Sequence, residues 1–299
     1  MTSTRTLLLC LSFSCVAADS VAQDSTVEEA APLAFVDAHV HLNRPAMQLQ
    51  LIDEYNLPKV IAFWGRDSDN ETLIEAAKAH PHRFIPFVSI SPERRQYRTY
   101  WQKEDTTLLE RLEDYLQTGL FKGIGEISVT HFPSRGFPEA DFSPLGAMMK
   151  GIMRLAARYD VPLTVHCEVT RLAEFSELLD EFATVQVIWA HGGYTPYFLA
   201  KRMLEKHPNL TYELSARTYA NHPRSPDYTI FRNASEVWPQ WLELIEHHPR
   251  RFVIGTDASH RQLDTERRKI ERVQLLLEQL TAQTRSLVAT ENMLRLVGE

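Results

Sequence analysis

The sequence is poor in cysteine and has no excess of positive charge. Three of its 299 residues are cysteine, and Cys10 and Cys15 both lie in the first two dozen residues. Cys167 is therefore the single thiol of the remaining chain, which excludes a framework of disulfide bonds there. The formal net charge of −7 provides no basic surface of the kind that binds nucleic acid, so we expect no nucleic-acid partner.

The chain also lacks an apolar run long enough to span a bilayer comfortably. The stretch Leu7–Ala18 is apolar but short, follows a basic residue and leads into small residues. This combination is typical of a secretory signal peptide, so we expect residues 1–22 to be removed on export. An uncleaved anchor is the alternative, and a lipid anchor on Cys15 is disfavoured because Ser12 stands where such signals usually carry leucine.

The sequence predicts that the remaining chain forms one exported domain. Residues 23–33 are acidic, rich in alanine and without pattern, which indicates a short tether. No linker rich in proline, glycine or serine divides residues 34–299, whose length suits one large core. We expect a secreted or periplasmic protein with no stable membrane insertion. A homo-oligomer is possible.

Short apolar runs alternate with amphipathic stretches from residue 34 onwards. The runs are rich in valine, isoleucine, phenylalanine and leucine without strict alternation, which is typical of parallel strands buried on both faces. The predicted strands are Ala34–His41, Lys59–Trp64, Phe84–Ser89, Leu120–Val129, Pro162–Glu168, Val185–His191, Leu210–Ser215 and Phe252–Asp257. The predicted helices are Met47–Tyr55, Asn70–Ala79, Thr106–Thr118, Ser143–Tyr159, Arg171–Phe182, Thr195–Lys206, Ser235–His247 and a long run from Leu263. Eight strands, each followed by a helix, predict an α/β fold: a single (β/α)8 TIM barrel.

Several histidines belong to turns between a helix and the next strand. His-Pro pairs occur at these turns, where proline ends the helix. In a barrel such turns lie at the N-terminal face, away from the usual active-site end. We therefore set these histidines aside as turn or surface residues: His80, His82, His207, His247 and His248.

His39 and His41 carry the strongest chemical signal in the chain. They end the first predicted strand, and residues two apart in a strand point to the same face. Two imidazoles on one face can bind one metal ion, although a lone His-x-His at a strand end is more often polar lining. The interpretation depends on whether other strand ends supply ligands.

Other predicted strands also end in metal-competent side chains. The carboxyl ends of barrel strands converge on one site, and buried charge is costly unless it is paired or bound to metal. The complete predicted ligand set is His39, His41, Glu126, His166, His191 and Asp257. One such residue alone would be an ordinary polar group at a strand mouth, but six at the same barrel end indicate a metal site.

This pattern resembles that of the amidohydrolase superfamily. The segment Val36-Asp37-Ala38-His39-Val40-His41-Leu42 is most similar to its amidohydrolase-related (amidohydrolase 2) branch, which includes hydrolases and zinc-dependent decarboxylases. The resemblance extends from about residue 34 to the end of the chain. It implies a divalent metal, with zinc expected, and a small-molecule substrate.

The resemblance also implies roles for the six residues. His39, His41 and Asp257 hold one ion, and in the two-ion form Glu126 bridges to a second ion on His166 and His191. In the one-ion form His166 joins the first three ligands, while His191 polarises the substrate or stabilises an oxyanion. In both forms the cation lowers the pKa of water, and Asp257 acts as the catalytic proton carrier. The expected reaction is hydrolysis of an amide, lactone, ester or phosphoester.

Substrate selection is less defined by the sequence. Arg217, after strand seven, is a candidate to bind a substrate carboxylate or phosphate, or it pairs with a neighbouring loop. Trp64 either stacks on a planar substrate or packs at its strand mouth. His260 either orients Asp257 or lies at the surface. Cys167 alternates away from His166, so we expect it to be buried and inert.

Three other functions compete with the hydrolase prediction. A metal-dependent decarboxylase on the same site is the main alternative. Glu126 also resembles the bridging glutamate of TatD-type nucleases, but the Gly-Leu-Asp that usually follows in that group is missing here. A catalytically dead barrel used for binding is disfavoured because every predicted ligand is present.

Overall fold

A computed structural model describes Met1 and residues 33–90, 101–133, 139–218 and 229–299. The expected signal peptide (1–22), apart from Met1, and the expected tether (23–33), apart from Leu33, lie outside the described residues, so both stay predictions. Residues 32–299 group into one unit by their contacts, and this unit contains the strands and helices given below. Among the described residues, no helix is both long and apolar enough to cross a membrane.

The described strands form a parallel barrel. Eight of them make one sheet in the order β1-β2-β3-β4-β7-β8-β9-β10, and β5 and β6 form a separate antiparallel pair after β4. The sheet closes on itself, because Ala38 N donates to Ile254 O over 2.9 Å and His41 N donates to Ala258 O over 2.8 Å. The strands are β1 Asp37–His41, β2 Val60–Phe63, β3 Phe84–Val88, β4 Gly123–Ser128, β5 Thr130–His131, β6 Ala140–Asp141, β7 Leu163–His166, β8 Val187–Trp189, β9 Leu210–Glu213 and β10 Phe252–Val253. This confirms the predicted TIM barrel.

The described helices lie between successive barrel strands as far as β10, and the last three follow β10, as the amphipathic pattern predicts. They are α1 Pro45–Glu54, α2 Asn70–Ala79, α3 Leu108–Gln117, α4 Ala147–Tyr159, α5 Leu172–Glu181, α6 Tyr197–Lys206, α7 Pro239–His247, α8 Leu263–Glu278, α9 Ala282–Ser286 and α10 Asn292–Leu296. Apolar side chains on their inner faces pack against the outside of the sheet. That burial is the main stabilisation expected of a barrel of this size.

The predicted His-Pro turns follow helix ends. His80, His207 and His248 occupy the cap positions after α2, α6 and α7, on the way into the next strand. His207 is buried, and its Nε2 lies 2.8 Å from Ser176 Oγ. These histidines therefore belong to the N-terminal end of the barrel, opposite the predicted ligands.

A second apolar cluster fills the inside of the barrel. Ile61 and Phe63 of β2 meet Ile85 and Phe87 of β3 there, and Met293 of α10 packs against the same cluster. The Phe63 ring lies 4.9 Å from the ring of His39 and 5.4 Å from that of Phe87. The predicted ligands at the carboxyl ends of the strands therefore lie directly above a packed apolar layer.

Candidate metal centre

His39 and His41 lie side by side at the end of β1, as the sequence predicts. Their ring centroids are 5.2 Å apart. The register between β1 and β2 shifts between the pairs Asp37↔Val60 and Val40↔Ala62, so β1 carries one extra residue beside His39. Such bulges often redirect side chains next to active sites.

Hydrogen bonds fix which nitrogen of each ring carries the proton. His41 Nδ1 lies 2.8 Å from the carbonyl oxygen of Trp64, which can only accept, so Nδ1 is the donor. His39 Nδ1 lies 3.2 Å from Glu213 Oε2 in a fully buried contact. When Nδ1 carries the single proton of a neutral ring, Nε2 presents a lone pair, which is the ligand form of histidine.

Glu126 reaches the same point from β4 through a second bulge. The register with β7 shifts between Ile124↔Leu163 and Ile127↔Val165, which places the extra residue at Gly125 or Glu126. Gly125 has a φ of +131°, and a Cβ there would stand 2.6 Å from Thr164 O. A glycine is therefore required for the local chain path that carries Glu126 into the site.

The two carboxylate oxygens of Glu126 face different histidines. Oε2 lies 3.5 Å from His39 Nε2 and 3.4 Å from His41 Nε2. Oε1 lies 3.0 Å from His166 Nδ1 and 3.6 Å from His191 Nε2. The carboxylate of Glu126 therefore lies between the two pairs of histidines.

Asp257 completes the group around β1. Its Oδ1 lies 3.6 Å from His41 Nε2 and 3.9 Å from His39 Nε2. The backbone of Asp257 has a φ of 50°, in the left-handed region, and Lys269 Nζ donates to its carbonyl oxygen over 2.7 Å. Aspartate tolerates that region better than most residues, so the turn directs this carboxylate at the histidines at modest cost.

His166 at the end of β7 lies between two glutamates. Its Nδ1 faces Glu126, and its Nε2 lies 3.1 Å from Glu168 Oε1. Burial would lower the pKa of His166, but hydrogen bonds to Glu126 and Glu168 raise it to about 9. A cation at Nδ1 would replace one of the two ring protons and leave the bond to Glu168 in place.

His191 follows β8 in a turn rather than ending the strand. Its Nδ1 lies 3.0 Å from the carbonyl oxygen of Ser215, so Nε2 is again the free nitrogen that faces Glu126. Tyr194 stacks on this ring, with centroids 5.0 Å apart and an angle of 20° between the planes. The same tyrosine meets His166 edge-on, at a centroid distance of 5.7 Å.

The carboxylates of this cluster are ionised. Burial would raise the pKa of Glu126, but the charge of His39 and a hydrogen bond from His166 hold it well below its usual range. The same balance of burial against histidine contacts lowers the pKa values of Glu168, Glu213 and Asp257. These four ionised groups concentrate negative charge at the site, which the neighbouring histidines or a bound cation must offset.

The donor set fits divalent cations. His39 Nε2 is buried and has no hydrogen-bond partner among the residues that the structure describes, although it points at two carboxylates. A lone pair facing anionic oxygens is unfavourable unless a positive charge lies between them. Ligand atoms about 2.0–2.2 Å from one ion stand about 3–3.6 Å apart, close to most of the separations found here. Among the described residues, three groups bring their ligand atoms close enough to hold an ion: His39, His41 and Asp257; His39, Glu126 and His191; and His131, His166 and Glu168.

A family model described as amidohydrolase matches residues 36–298. The chain belongs to the amidohydrolase family. It is therefore an enzyme of the amidohydrolase superfamily, as the resemblance of the strand-end residues predicts. Comparison with curated proteins gives no match.

Solved structures share the barrel of this amidohydrolase at low identity. An amidohydrolase from Burkholderia multivorans with bound zinc is 17% identical over 85% of this chain and 88% of that one, with a TM-score of 0.51. 2,6-Dihydroxybenzoate decarboxylase is 13% identical over 84% and 87%, with a TM-score of 0.55. A mutant organophosphorus hydrolase is 10% identical over 90% and 93%, with a TM-score of 0.54. At these identities the likeness establishes the shared fold.

The two residues expected to bind substrate lie outside the ligand cluster of the amidohydrolase. Arg217 is fully buried, its Nη2 donates to Thr195 O over 3.0 Å, and its Cζ lies 5.0 Å from the centre of the Trp241 ring. The side chain of Trp64 is partly buried and packs against the outer core, while its carbonyl oxygen accepts from His41. Their roles in substrate binding stay predictions.

Two other sequence expectations have a clear outcome in the amidohydrolase structure. His260 is neither exposed nor aimed at Asp257, because it is buried with its Nε2 2.7 Å from Gln48 Oε1. Its Nδ1 accepts from the backbone nitrogen of Asn43 over 3.2 Å, so it fixes the loop after β1. Cys167 is buried, as expected.

Sequence reasoning missed two carboxylates behind the histidines. Glu168 accepts from Phe132 N over 2.8 Å and contacts the ring of His166. Glu213 contacts the ring of His39. The signal was present, because Glu213 ends the apolar strand β9 and Glu168 follows His166 by two residues. Each matches the criterion of a charged residue at a strand end that singled out the six predicted ligands.

Proposed function

We propose that this enzyme is a metal-dependent hydrolase that holds two divalent cations, zinc being the expected ion. The observation that carries the proposal is the position of Glu126, whose two oxygens face two different pairs of histidines. One oxygen serves the group with His39 and His41, and the other serves the group with His166 and His191. In a one-ion site this division of the Glu126 oxygens between two pairs of histidines would have no role.

The chemistry follows from the class of site. A bound divalent cation lowers the pKa of water towards neutrality and polarises a carbonyl or phosphoryl oxygen. The substrate bond is then an amide, lactone, ester or phosphoester. Water adds to the carbon or phosphorus centre, and the leaving group departs with the proton that water loses.

Asp257 is the residue best placed to carry that proton. Its side chain is 28% exposed, whereas that of Glu126 is 9% exposed and that of Glu213 is 0% exposed. Oδ1 faces the histidines, which leaves Oδ2 to take the proton from water and pass it to the leaving group. A neighbouring carboxylate buried as deeply as Glu213 has no comparable access to substrate.

The surrounding residues orient the reacting groups. Trp64 O and Ser215 O hold His41 and His191 by Nδ1, so each ring is presented through Nε2. The apolar layer at Phe63 excludes water from beneath the site, which strengthens the electrostatic interactions between the ligand residues. We further propose that Arg217 and Trp64 shape the substrate pocket.

A decarboxylase that uses the same cluster is the competing proposal. It is supported by the shared barrel of 2,6-dihydroxybenzoate decarboxylase. The two functions differ in their products, because a decarboxylase releases carbon dioxide whereas a hydrolase adds water across the broken bond. A panel of esters, lactones, amides, phosphoesters and hydroxybenzoates, assayed with and without a chelator, separates them. Chelator-sensitive hydrolysis supports the hydrolase, and chelator-sensitive release of carbon dioxide contradicts it.

Export is a separate proposal that rests on the sequence alone. We propose that residues 1–22 direct the protein to the periplasm or the medium and are then removed. N-terminal sequencing of the protein from the exported fraction would test this. An intact Met1 in a cytoplasmic protein would contradict it.

A further inference from the structure

Glu213 is a buried carboxylate at the end of β9, beneath the ligand cluster. Its side chain is 0% exposed, and β9 lies between β8 and β10 in the barrel. A carboxylate buried this deeply is costly unless several donors satisfy it. Its contacts therefore indicate what it stabilises.

The donors to Glu213 come from both halves of the cluster. Oε2 lies 3.2 Å from His39 Nδ1 and accepts from His191 N over 3.2 Å. It also accepts from Ser215 Oγ over 2.7 Å, and Oε1 accepts from Ser215 N over 2.5 Å. One carboxylate thus joins a histidine within β1 to a histidine that follows β8.

Ser215 extends this contact to the ring of His191. Its Oγ lies 2.9 Å from His191 Nδ1 while it donates to Glu213. The carbonyl oxygen of Ser215 stands 3.0 Å from the same nitrogen, so the proton of a neutral His191 ring belongs on Nδ1. Glu213 imposes the same tautomer on His39, and in both rings Nε2 is left to face Glu126.

The backbone at His191 also depends on β9. His191 has a φ of 54°, which few non-glycine residues adopt without local support. Glu213 accepts from its nitrogen, and Tyr212 Oη donates to its carbonyl oxygen over 3.4 Å. Gly192 follows with a φ of 53°, and a Cβ there would overlap the Tyr212 ring. Two consecutive residues of β9 therefore hold both backbone polar groups of His191.

We propose that Glu213 is the positioning residue that couples the two cation positions, because it fixes the ring of His39 and the backbone of His191 at once. The inference rests on the proposed two-ion function. It predicts a specific result, because the loss of a residue that supports one ion only would weaken one binding step. Loss of the Glu213 charge should weaken both.

The test is the binding of Zn²⁺ alone, with Co²⁺ as a spectroscopic probe, to the purified full chain. Glu213→Gln keeps the size of the side chain and removes its charge, and we expect about 10–100-fold weaker affinity in both steps. The absorption bands of bound Co²⁺ should change with it, which a purely structural role would not cause. Glu246→Gln is the matched control, because Glu246 of α7 accepts hydrogen bonds from Thr281 and Thr284 and has no contact with the ligand cluster among those given above.

Ser215→Ala keeps the inference testable if Glu213→Gln does not fold. It removes the hydroxyl between Glu213 and the His191 ring and leaves the contact to His39 intact. We expect it to weaken one binding step and spare the other. If Glu213→Gln binds both ions with wild-type affinity, or is weakened in one binding step only, the inference is overturned. Where only Ser215→Ala folds, wild-type affinity for both ions in that variant overturns it. If the wild-type chain binds no cation, the proposed function itself fails.

Discussion

Thr256 and Asp37 close the barrel directly below the ligands of β1. Thr256 Oγ1 donates to Asp37 Oδ2 over 2.6 Å, and Thr256 N donates to Asp37 Oδ1 over 2.9 Å. Burial raises the pKa of Asp37 to about 7 even though these bonds lower it. The contact joins β1 to the segment that follows β10. Thr256 directly precedes Asp257, and Asp37 lies two residues before His39.

Replacement of Thr256 by valine should destabilise the barrel. The variant leaves a buried carboxyl group without its closest donor, at a cost of about 1–3 kcal/mol in the free energy of unfolding. Denaturant unfolding of the two proteins measures the difference. Thr256→Ser is the control because it keeps the hydroxyl, and equal losses in the two variants would assign the effect to packing instead.

Replacement of Glu168 by glutamine should weaken the cation held by His166. Glu168 Oε1 lies 3.1 Å from His166 Nε2, and its charge favours the proton on that nitrogen. We expect about a tenfold loss of affinity in one of the two Zn²⁺ binding steps, measured by titration against a chromophoric chelator. Glu174→Gln is the control, since Glu174 of α5 pairs with Arg171, which directly precedes that helix. Equal affinities in wild type and Glu168→Gln would show that Glu168 does not support the site.

His260 should make the fold sensitive to mild acid. Burial, with the charge of Lys269, lowers its pKa from 6.5 to about 4, so between these values the unfolded chain binds more protons than the folded one. Stability contributed by neutral His260 is therefore lost as the pH falls through this window, by about 2 kcal/mol between pH 7 and pH 5. His260→Gln keeps a donor and an acceptor but cannot titrate. The urea midpoint of the variant should fall less on acidification, and parallel losses in the two proteins would refute the assignment.

Cys167 should not react in the native enzyme. Burial raises the pKa of its thiol to about 12, and reactivity requires an accessible thiolate. Iodoacetamide at pH 8 should leave Cys167 unmodified in native protein and modify it in denaturant, as followed by peptide mass mapping. Mapping also separates this residue from Cys10 and Cys15, which serve as internal comparisons where the chain retains them. Rapid native alkylation at Cys167 would contradict its burial.

The barrel was predictable because each strand and helix carries its own pattern. The predicted helix Asn70–Ala79 agrees with α2 at both ends, and Lys59–Trp64 differs from β2 by one residue at each end. The predicted strand Phe252–Asp257 was too long, because β10 ends at Val253. Apolar runs indicate burial, but they do not show where the regular ladder of hydrogen bonds stops.

The ligand cluster was predictable in its members but not in its geometry. His191 was expected to end a strand, whereas it lies two residues beyond Trp189 in a left-handed turn. The bulges beside His39 and at Glu126 are register shifts against neighbouring strands. A register is a property of two chain segments together, so a pattern within one segment cannot predict it. The supporting roles of Glu168 and Glu213 depend on the same contacts between strands.

The bridging position of Glu126 is the central claim, and metal stoichiometry tests it most directly. Wild-type protein and Glu126→Ala would be dialysed against Zn²⁺, and bound metal per chain would be measured by elemental mass spectrometry. The account predicts two ions per chain in the wild type and at most one in the variant, because the shared ligand is lost. One ion or none in the wild type, or two ions in Glu126→Ala, would contradict it.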